Sequence, residues 1–185
     1  NNYLLSTSLA PKTYKDQPGT LYEAHDYAVH GLYADYVILM TYEWGYSYGP
    51  PMAVAPVNQV ERVISYAVSE IPSEKILMGI PNYGYDWTLP YVQGTKARSL
   101  SNTMARELAR EKGVEIQFDE VAKTPYFNYN DGNEHVVWFE DARSLQAKYE
   151  LVSKYNLGGI SFWNLNQLFN PNFLVLENMY NIKKI

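Results

Sequence analysis

The chain has 185 residues, of which 46% are hydrophobic and 19% are charged, and this composition suits one globular domain with a substantial core and a small appended lobe. A net charge of -5 offers no basic face for a phosphate backbone, so nucleic acid is not an expected partner. No apolar run approaches the ~20 residues that a membrane span needs, so no membrane association is expected.

Cysteine and histidine usage argues against a metal site. The chain has no cysteine, which excludes disulfides and thiolate ligands. His25, His30 and His135 lie on different predicted elements and lack the spacing of a ligand set. We therefore expect no metal and no other cofactor.

Tyrosine is unusually frequent, with 18 residues in a chain that is 15% aromatic. A tyrosine combines a flat apolar ring with a hydrogen-bonding hydroxyl, which suits surfaces that hold sugar rings. The enrichment alone does not decide the function, because tyrosines also fill ordinary cores and interfaces.

The hydrophobic pattern predicts strands that alternate with helices, interrupted by a run of short extended segments. In chain order we predict a strand over Tyr3–Ala10, a helix over Leu21–Leu32, a strand over Tyr36–Thr41, a helix over Val57–Glu70, a strand over Lys75–Pro81, a helix over Ser99–Lys112, extended runs at Glu115–Phe118, Thr124–Tyr129 and Glu134–Phe139, a helix from Asp141 to Tyr155, a strand over Gly158–Trp163 and a helix near Phe173–Asn181. The alternation predicts a parallel sheet with right-handed crossovers, and the interruption predicts an inserted α+β lobe.

Aromatic and acidic side chains follow three of the predicted strands. Tyr42 and Glu43 end one strand, Tyr83 and Tyr85 follow the next, and Trp163 ends the last. In β/α barrels the site is assembled from the carboxyl ends of several strands, so this pattern favours a barrel. No Gly-rich phosphate-binding sequence follows the first strand, which disfavours a doubly wound nucleotide-binding fold.

The first of these strand ends shows which side chains share a face. With the period of a strand, Met40 and Tyr42 face the same space, and Glu43 lies at its rim. A strand that ends in a carboxylate among aromatic residues indicates a site. The alternative is an aromatic cluster at a sheet edge, packed on a helix.

Five stretches carry a resemblance to a known family. They are MTYEWG at Met40–Gly45, GIPNYGYDW at Gly79–Trp87, FDEVAKTPYFNY at Phe118–Tyr129, VWFEDARSLQAKYEL at Val137–Leu151 and GGISFWNLN at Gly158–Asn166. In this order and spacing they resemble glycoside hydrolase family 18, the chitinase-like barrels. The narrower resemblance is to the bacterial spore-associated glycosidases that act on peptidoglycan during germination. It rests on the amino-acid sequence of the lobe and on Glu43, where chitinases usually have Asp.

The resemblance implies a substrate-assisted mechanism. In this family the 2-acetamido oxygen of the substrate attacks the anomeric carbon, while a single Glu protonates the leaving oxygen. It implies that Tyr42 hydrogen-bonds the acetamido oxygen and that Glu43 helps to bind the distorted sugar. Trp163 would form the floor under that sugar, with Met40 on the same wall.

Each of these residues also has a purely structural interpretation. Trp163 could be a core aromatic residue that closes the barrel, and Glu43 could be a loop cap or a solvated charge. Tyr83, Tyr85 and Trp87 are expected to line the groove, although any of them could instead pack the lobe against the barrel. Trp44 is expected to bind the substrate.

One departure from the family pattern is large. The acid of the family ends a D-x-x-D-x-D-x-E run on the fourth strand, and the chain has no such run. Tyr3–Ala10 matches the fifth strand, so the resemblance implies the C-terminal half of a (β/α)8 TIM barrel, α/β in class, with an inserted α+β lobe. Residues 1–87 would hold strands five to seven, 88–140 the lobe, and 141–185 the last helix, strand and helix. A whole barrel takes about 250 residues.

The expected function follows from the resemblance. The chain would be the C-terminal portion of a glycosidase that cleaves β-1,4 links next to N-acetylglucosamine in spore-cortex peptidoglycan or in chitin, and it would be inactive alone. A non-catalytic domain that binds N-acetylglucosamine polymers is the alternative. We further expect an extracellular or spore-envelope location and possible self-association through open barrel edges.

Overall fold

A computed structural model describes residues 3–182. Within this range the chain forms nine strands, five α-helices and a short 3-10 helix at Ser73–Lys75. In chain order the elements are β1 (Ser6–Leu9), α1 (Tyr27–Tyr33), β2 (Tyr36–Leu39), α2 (Val57–Glu70), β3 (Ile76–Pro81), β4 (Tyr83–Leu89), β5 (Arg98–Ser101), α3 (Asn102–Lys112), β6 (Gln117–Asp119), β7 (Thr124–Asn130), β8 (Glu134–Trp138), α4 (Ala142–Lys154), β9 (Gly159–Trp163) and α5 (Asn170–Met179). None of the described helices is long and apolar enough to cross a membrane.

Four strands form a parallel sheet in the order β1-β2-β3-β9. The helices between these strands provide the crossovers that parallel pairing requires, which confirms the predicted β/α series. All four carboxyl ends therefore point to the same edge of the sheet. Strands β1 and β9 are the outermost strands of this sheet within the described residues.

The two faces of the parallel sheet differ in burial. Val37 and Leu39 of β2 are fully buried and share one core cluster with Val63 and Ile64 of α2. Burying a side chain of this size stabilises a fold by roughly 1.5–3 kcal/mol. On the opposite face, Ile38 is only half-buried, so the helices cover one face of the sheet and leave the other partly open.

Five further strands form an antiparallel sheet in the order β5-β4-β8-β7-β6. This sheet carries its own core on α3, in which Phe127, Val137 and Phe139 are fully buried. Tyr126 and Trp138 are half-buried and stack with ring centroids 4.7 Å apart.

The antiparallel sheet begins at Tyr83, whereas the lobe is expected from the sequence to begin at residue 88. From Tyr83 onward β4 pairs antiparallel with both β5 and β8. Asn82 alone separates β3 from β4, so the chain passes from one sheet into the other within a single residue. No strand was predicted over Tyr83–Leu89, and local sequence does not show which sheet these residues join.

Two helix starts also differ from the prediction. The helix predicted over Leu21–Leu32 begins only at Tyr27, where Asp26 caps it by accepting from the backbone of Val29. The helix predicted from Ser99 begins at Asn102, and the residues before it form β5. In both cases a capping side chain, and not the apolar spacing, sets the first turn.

Candidate active site

A cleft of about 400 Å³ opens where the carboxyl ends of the parallel strands meet β4 and β5. It brings together six of the eight residues that sequence analysis singled out, and it adds three more. Its lining consists of Met40, Tyr42, Glu43, Tyr83, Tyr85, Ser99, Trp163, Asn164 and Gln167. Of the other two, Trp44 lines an adjoining cleft of about 230 Å³ that Met40, Tyr42 and Glu43 also line, and Trp87 is buried in a core cluster with Tyr83 and Tyr85.

Tyr42 lies three residues after the end of β2 and lines both this cleft and the adjoining one. Its ring rests on Gly79 of β3, where a Cβ would lie 2.8 Å from the ring and 2.5 Å from the backbone oxygen of Leu39. Only glycine fits at that position. The Tyr42 hydroxyl has no hydrogen-bond partner among residues 3–182, so it is a donor that a ligand can use.

Glu43 follows at a sharp change of backbone direction. Its φ is +69°, in the left-handed region that non-glycine residues rarely adopt. Backbone bonds on its C-terminal side hold this turn, since the N–H of Trp44 donates to Val54 at 3.0 Å and that of Gly45 to Ala53 at 2.9 Å. A Cβ at Gly45 would lie 2.0 Å from the backbone oxygen of Met52, so the close approach again requires glycine.

The Glu43 carboxylate is held by two phenols from the other sheet. The hydroxyls of Tyr83 and Tyr85 both donate to its Oε1, the second at 3.0 Å. Its Oε2 has no hydrogen-bond partner within the described part of the chain, and because Glu43 lines the cleft this oxygen is available as an acceptor. Glu43 is therefore neither a helix cap nor a fully solvated charge, but an oriented carboxylate.

Burial and the neighbouring carboxylate keep the phenols of the cleft protonated. Desolvation, and then the charge of Glu43, raise the pKa of Tyr42 above its ordinary value. The same two causes, together with the hydrogen bonds to Glu43, raise the pKa of Tyr83 and of Tyr85 still further. All three hydroxyls are consequently donors throughout the neutral range.

Tyr83 and Tyr85 combine the two interpretations that the sequence left open. Both are less than 10% exposed, and their rings meet edge to face at 5.5 Å within a core cluster that includes Trp87. They thus pack the lobe sheet, while their hydroxyls reach across to the end of β2. The contact joins the two sheets through Glu43.

Trp163, the last residue of β9, is 56% exposed and lies opposite Pro81 in the parallel register. That exposure does not fit the alternative in which it plugs the core. One face of the indole is therefore available for stacking. The peptide bond that follows it, to Asn164, is cis.

Three residues of the cleft were not predicted as site residues. Ser99 comes from β5, whose residues were assigned to a helix, and Asn164 lay inside the quoted GGISFWNLN stretch without a role. Gln167 is notable because its Oε1 is buried and has no hydrogen-bond partner within residues 3–182. Three amide side chains within the four residues after a strand end, at Asn164, Asn166 and Gln167, are the signal that could have found the last two.

No group of three or more His, Asp or Glu side chains that could hold a metal ion occurs within the described residues. What the cleft does offer is one free phenol, one oriented carboxylate, an exposed indole and two amides. These groups are suited to binding a hydroxylated ring that carries an amide substituent.

Sequence comparison supports that chemistry. The family model described as Glycosyl hydrolases family 18 matches residues 1–167. The chain belongs to glycosyl hydrolase family 18. The family resemblance of the five stretches is thereby confirmed.

Curated relatives of this family 18 chain include two cortical fragment-lytic enzymes. The Bacillus subtilis (strain 168) enzyme is 52% identical over 183 residues, which cover 97% of this chain and 42% of that protein. The Bacillus cereus enzyme is 45% identical over 187 residues, covering 100% of this chain and 44% of that protein. The chain thus spans less than half the length of these relatives.

Solved structures agree with the sequence matches. The Bacillus cereus spore cortex-lytic enzyme SleL superposes with a TM-score of 0.96 at 46% identity, over 98% of this chain and 43% of that one. A chitinase from Chromobacterium violaceum superposes with a TM-score of 0.86 at 30% identity, over 93% and 54%. The predicted fold class is confirmed, because the chain corresponds to a C-terminal portion of the family 18 barrel.

Proposed function

We propose that this chain is the C-terminal portion of a glycosidase that cleaves β-1,4 links next to N-acetylglucosamine by substrate-assisted retaining hydrolysis. The observation that carries the proposal is the arrangement at the end of β2. There a free, protonated phenol of Tyr42 adjoins a carboxylate of Glu43 that two phenols orient, in one cleft with the exposed indole of Trp163. A substrate that supplies its own nucleophile needs such a binding groove.

In this proposal the Tyr42 hydroxyl donates a hydrogen bond to the acetamido oxygen. As that oxygen attacks the anomeric carbon, its geometry and charge change, and a fixed donor stabilises the arrangement close to the transition state. Glu43 accepts a hydrogen bond from the sugar through Oε2, and the sugar stacks on Trp163. Met40 and Trp44 complete the apolar walls.

The general acid lies outside this set of residues. The chain contains no D-x-x-D-x-D-x-E run, and the carboxylate in the cleft already accepts two phenol hydrogen bonds. We propose that the acid belongs to the part of the full-length protein that corresponds to the portion of the relatives not spanned here. The reading frame that contains this chain should encode that run upstream of residue 1.

We propose spore-cortex peptidoglycan, ahead of chitin, as the substrate, and the spore envelope as the location. The support is the degree of similarity: 52% identity to a cortical fragment-lytic enzyme, against 30% to the bacterial chitinase. Glu43, where chitinases usually have Asp, is consistent with this choice.

The test uses the full-length protein, meaning the product of the whole reading frame that contains this chain. It is incubated with cortex peptidoglycan fragments and, separately, with N-acetylglucosamine oligomers, and the products are identified by mass spectrometry and by the anomer first released. We expect cleavage next to N-acetylglucosamine with retained configuration, and faster cleavage of the cortex fragments. Tight binding without cleavage would instead identify a sugar-binding domain, the second function that the missing acid run leaves open.

A further inference from the structure

A chain of buried polar side chains runs beneath the floor of the cleft. Asn82, Tyr149 and Asn172 are each at most 1% exposed. The Tyr149 hydroxyl of α4 donates to Oδ1 of Asn172 in α5, and Nδ2 of Asn172 donates to Oδ1 of Asn82 at 2.5 Å. Asn82 then contacts the end of β9 and the residue after it: its backbone N–H donates to the oxygen of Trp163 at 2.8 Å, and its Nδ2 lies 3.5 Å from the oxygen of Asn164.

The direction of this chain is fixed by its donors and acceptors. The Tyr149 hydroxyl is the donor to Asn172 Oδ1, which leaves the Asn172 amide nitrogen to donate to Asn82 Oδ1. The Asn82 nitrogen must then face the backbone oxygen of Asn164. Turning any one amide over would place an acceptor against an acceptor, so the network holds Asn82 in one orientation.

The surroundings of the network are apolar. Leu145, Leu157 and Phe169 are buried nearby in the core cluster that also contains Tyr149. Apolar side chains could fill this space without requiring several exact hydrogen bonds, since a buried polar group destabilises the fold whenever its partner is lost. A role in the cleft explains why three polar side chains occur here.

Asn82 lies between the two halves of the cleft. The residue before it, Pro81, lies opposite Trp163 in the register of β3 and β9, and the residue after it, Tyr83, donates to Glu43. Asn82 is thus the single residue that connects the stacking floor to the phenols that orient the carboxylate. A change in its backbone or amide would alter the distance between floor and carboxylate.

We propose that Asn82 is a positioning residue, fixed by Asn172 and Tyr149, that holds the Trp163–Asn164 backbone at the correct distance from Tyr83 and Glu43. It contacts no substrate itself. The inference rests on the proposed function, because it requires a sugar that binds Trp163 and Glu43 at the same time.

The experiment compares Asn82→Ala and Tyr149→Phe in the full-length protein with a matched control, Asn102→Ala. Asn102 is also fully buried, and its Oδ1 accepts from the backbone of Glu140 at 2.9 Å, but it does not line the cleft. Melting temperatures are measured first. KM, kcat and the dissociation constant of an N-acetylglucosamine oligomer are then measured at a temperature where every variant is folded.

We expect Asn82→Ala to weaken oligomer binding about tenfold per folded molecule, because a displacement of the order of 1 Å is costly for a positioned group. Tyr149→Phe keeps the ring and its packing, and should weaken binding in the same direction by a smaller factor. Asn102→Ala should lower the melting temperature and leave the dissociation constant unchanged.

Equal dissociation constants for Asn82→Ala and Asn102→Ala would overturn the inference and leave Asn82 a purely structural residue. If Asn82→Ala does not fold, Tyr149→Phe decides, and unchanged binding by that variant overturns the inference. Failure of the unaltered protein to bind the oligomer would overturn the proposed function itself and this inference with it. The two failures are therefore distinguishable.

Discussion

The two sheets of the chain differ in how completely they bury their side chains. In β9 of the parallel sheet no residue is buried, and Ile38 and Met40 on and after β2 are half-exposed on the same open face. In β4 of the antiparallel sheet Tyr83, Tyr85 and Trp87 are all less than 10% exposed. These aromatic side chains of β4 are enclosed in a core cluster that also includes Val54 from the loop after β2, whereas the open face of the parallel sheet remains partly accessible.

This difference explains how the cleft is built. The parallel sheet supplies the groups that a sugar would contact, at strand ends where side chains remain accessible. The antiparallel sheet supplies rigid support, because the buried Tyr83 and Tyr85 extend their hydroxyls to Glu43. The accessible groups of the cleft thus come from the parallel sheet, and their rigid support comes from the antiparallel sheet.

The largest expected effect comes from comparing two tryptophans, Trp87 of the antiparallel sheet and Trp163 of the parallel sheet. Trp87→Ala should destabilise the full-length protein by about 3–5 kcal/mol, because the indole is 2% exposed and donates to the oxygen of Gly49 at 2.9 Å. Trp163→Ala should leave the melting temperature nearly unchanged and weaken sugar binding. Thermal unfolding and a binding titration test both predictions. A large drop in the melting temperature of Trp163→Ala would show that Trp163 is a structural core residue.

The next effect concerns the free phenol. In the full-length protein Tyr42→Phe should lower kcat by about 10²–10³-fold and raise KM less, because the lost hydrogen bond matters most as the acetamido oxygen becomes nucleophilic. Tyr33→Phe is the control, since Tyr33 is 74% exposed on α1. An unchanged kcat for Tyr42→Phe would make Tyr42 a structural residue.

Much of this architecture follows from local sequence. The apolar spacing predicted the helix Val57–Glu70 at its observed bounds, and the strand ends carrying Tyr42, Glu43 and Trp163 do meet in one cleft. Strand and helix periods are local properties, and parallel strands necessarily bring their carboxyl ends together. Those elements could therefore be predicted without a structure.

Contacts between distant residues could not be predicted in this way. Glu43 meets Tyr83 and Tyr85 across about 40 positions, and Asn172 meets Asn82 across 90. The hydrophobic periodicity of these segments does not indicate that the paired residues meet. For the same reason, the place of Tyr83 in the antiparallel sheet could not be predicted, since only strand pairing shows which sheet a strand joins.

A smaller effect tests the junction between the sheets. Tyr83→Phe and Tyr85→Phe should each lower the free energy of unfolding by about 0.5–1.5 kcal/mol. Because both hydroxyls donate to the same oxygen of Glu43, each can partly compensate for loss of the other, so the double variant should lose more than the sum of the single losses. Chemical denaturation of all three variants measures this, and strictly additive losses would show that the phenols do not share Glu43.

The smallest effect concerns the outer strands β1 and β9, each of which has no neighbour on one side within the described residues. Such edges attract other chains, so we expect the isolated chain to self-associate as its concentration rises. Light scattering over a concentration series measures this, with the full-length protein as the control that should remain monodisperse. A monomeric isolated chain with cooperative unfolding would contradict the expectation.

The most direct test of the account is an activity assay on the purified 185-residue chain alone, with cortex peptidoglycan fragments and N-acetylglucosamine oligomers as substrates. We predict no turnover of either, because the proposed sugar-binding cleft has, among the described residues, no group placed to protonate the leaving oxygen, a step that contributes roughly 10²–10⁴-fold. Turnover by the isolated chain that Glu43→Gln abolishes would contradict it, because Glu43 would then be the acid.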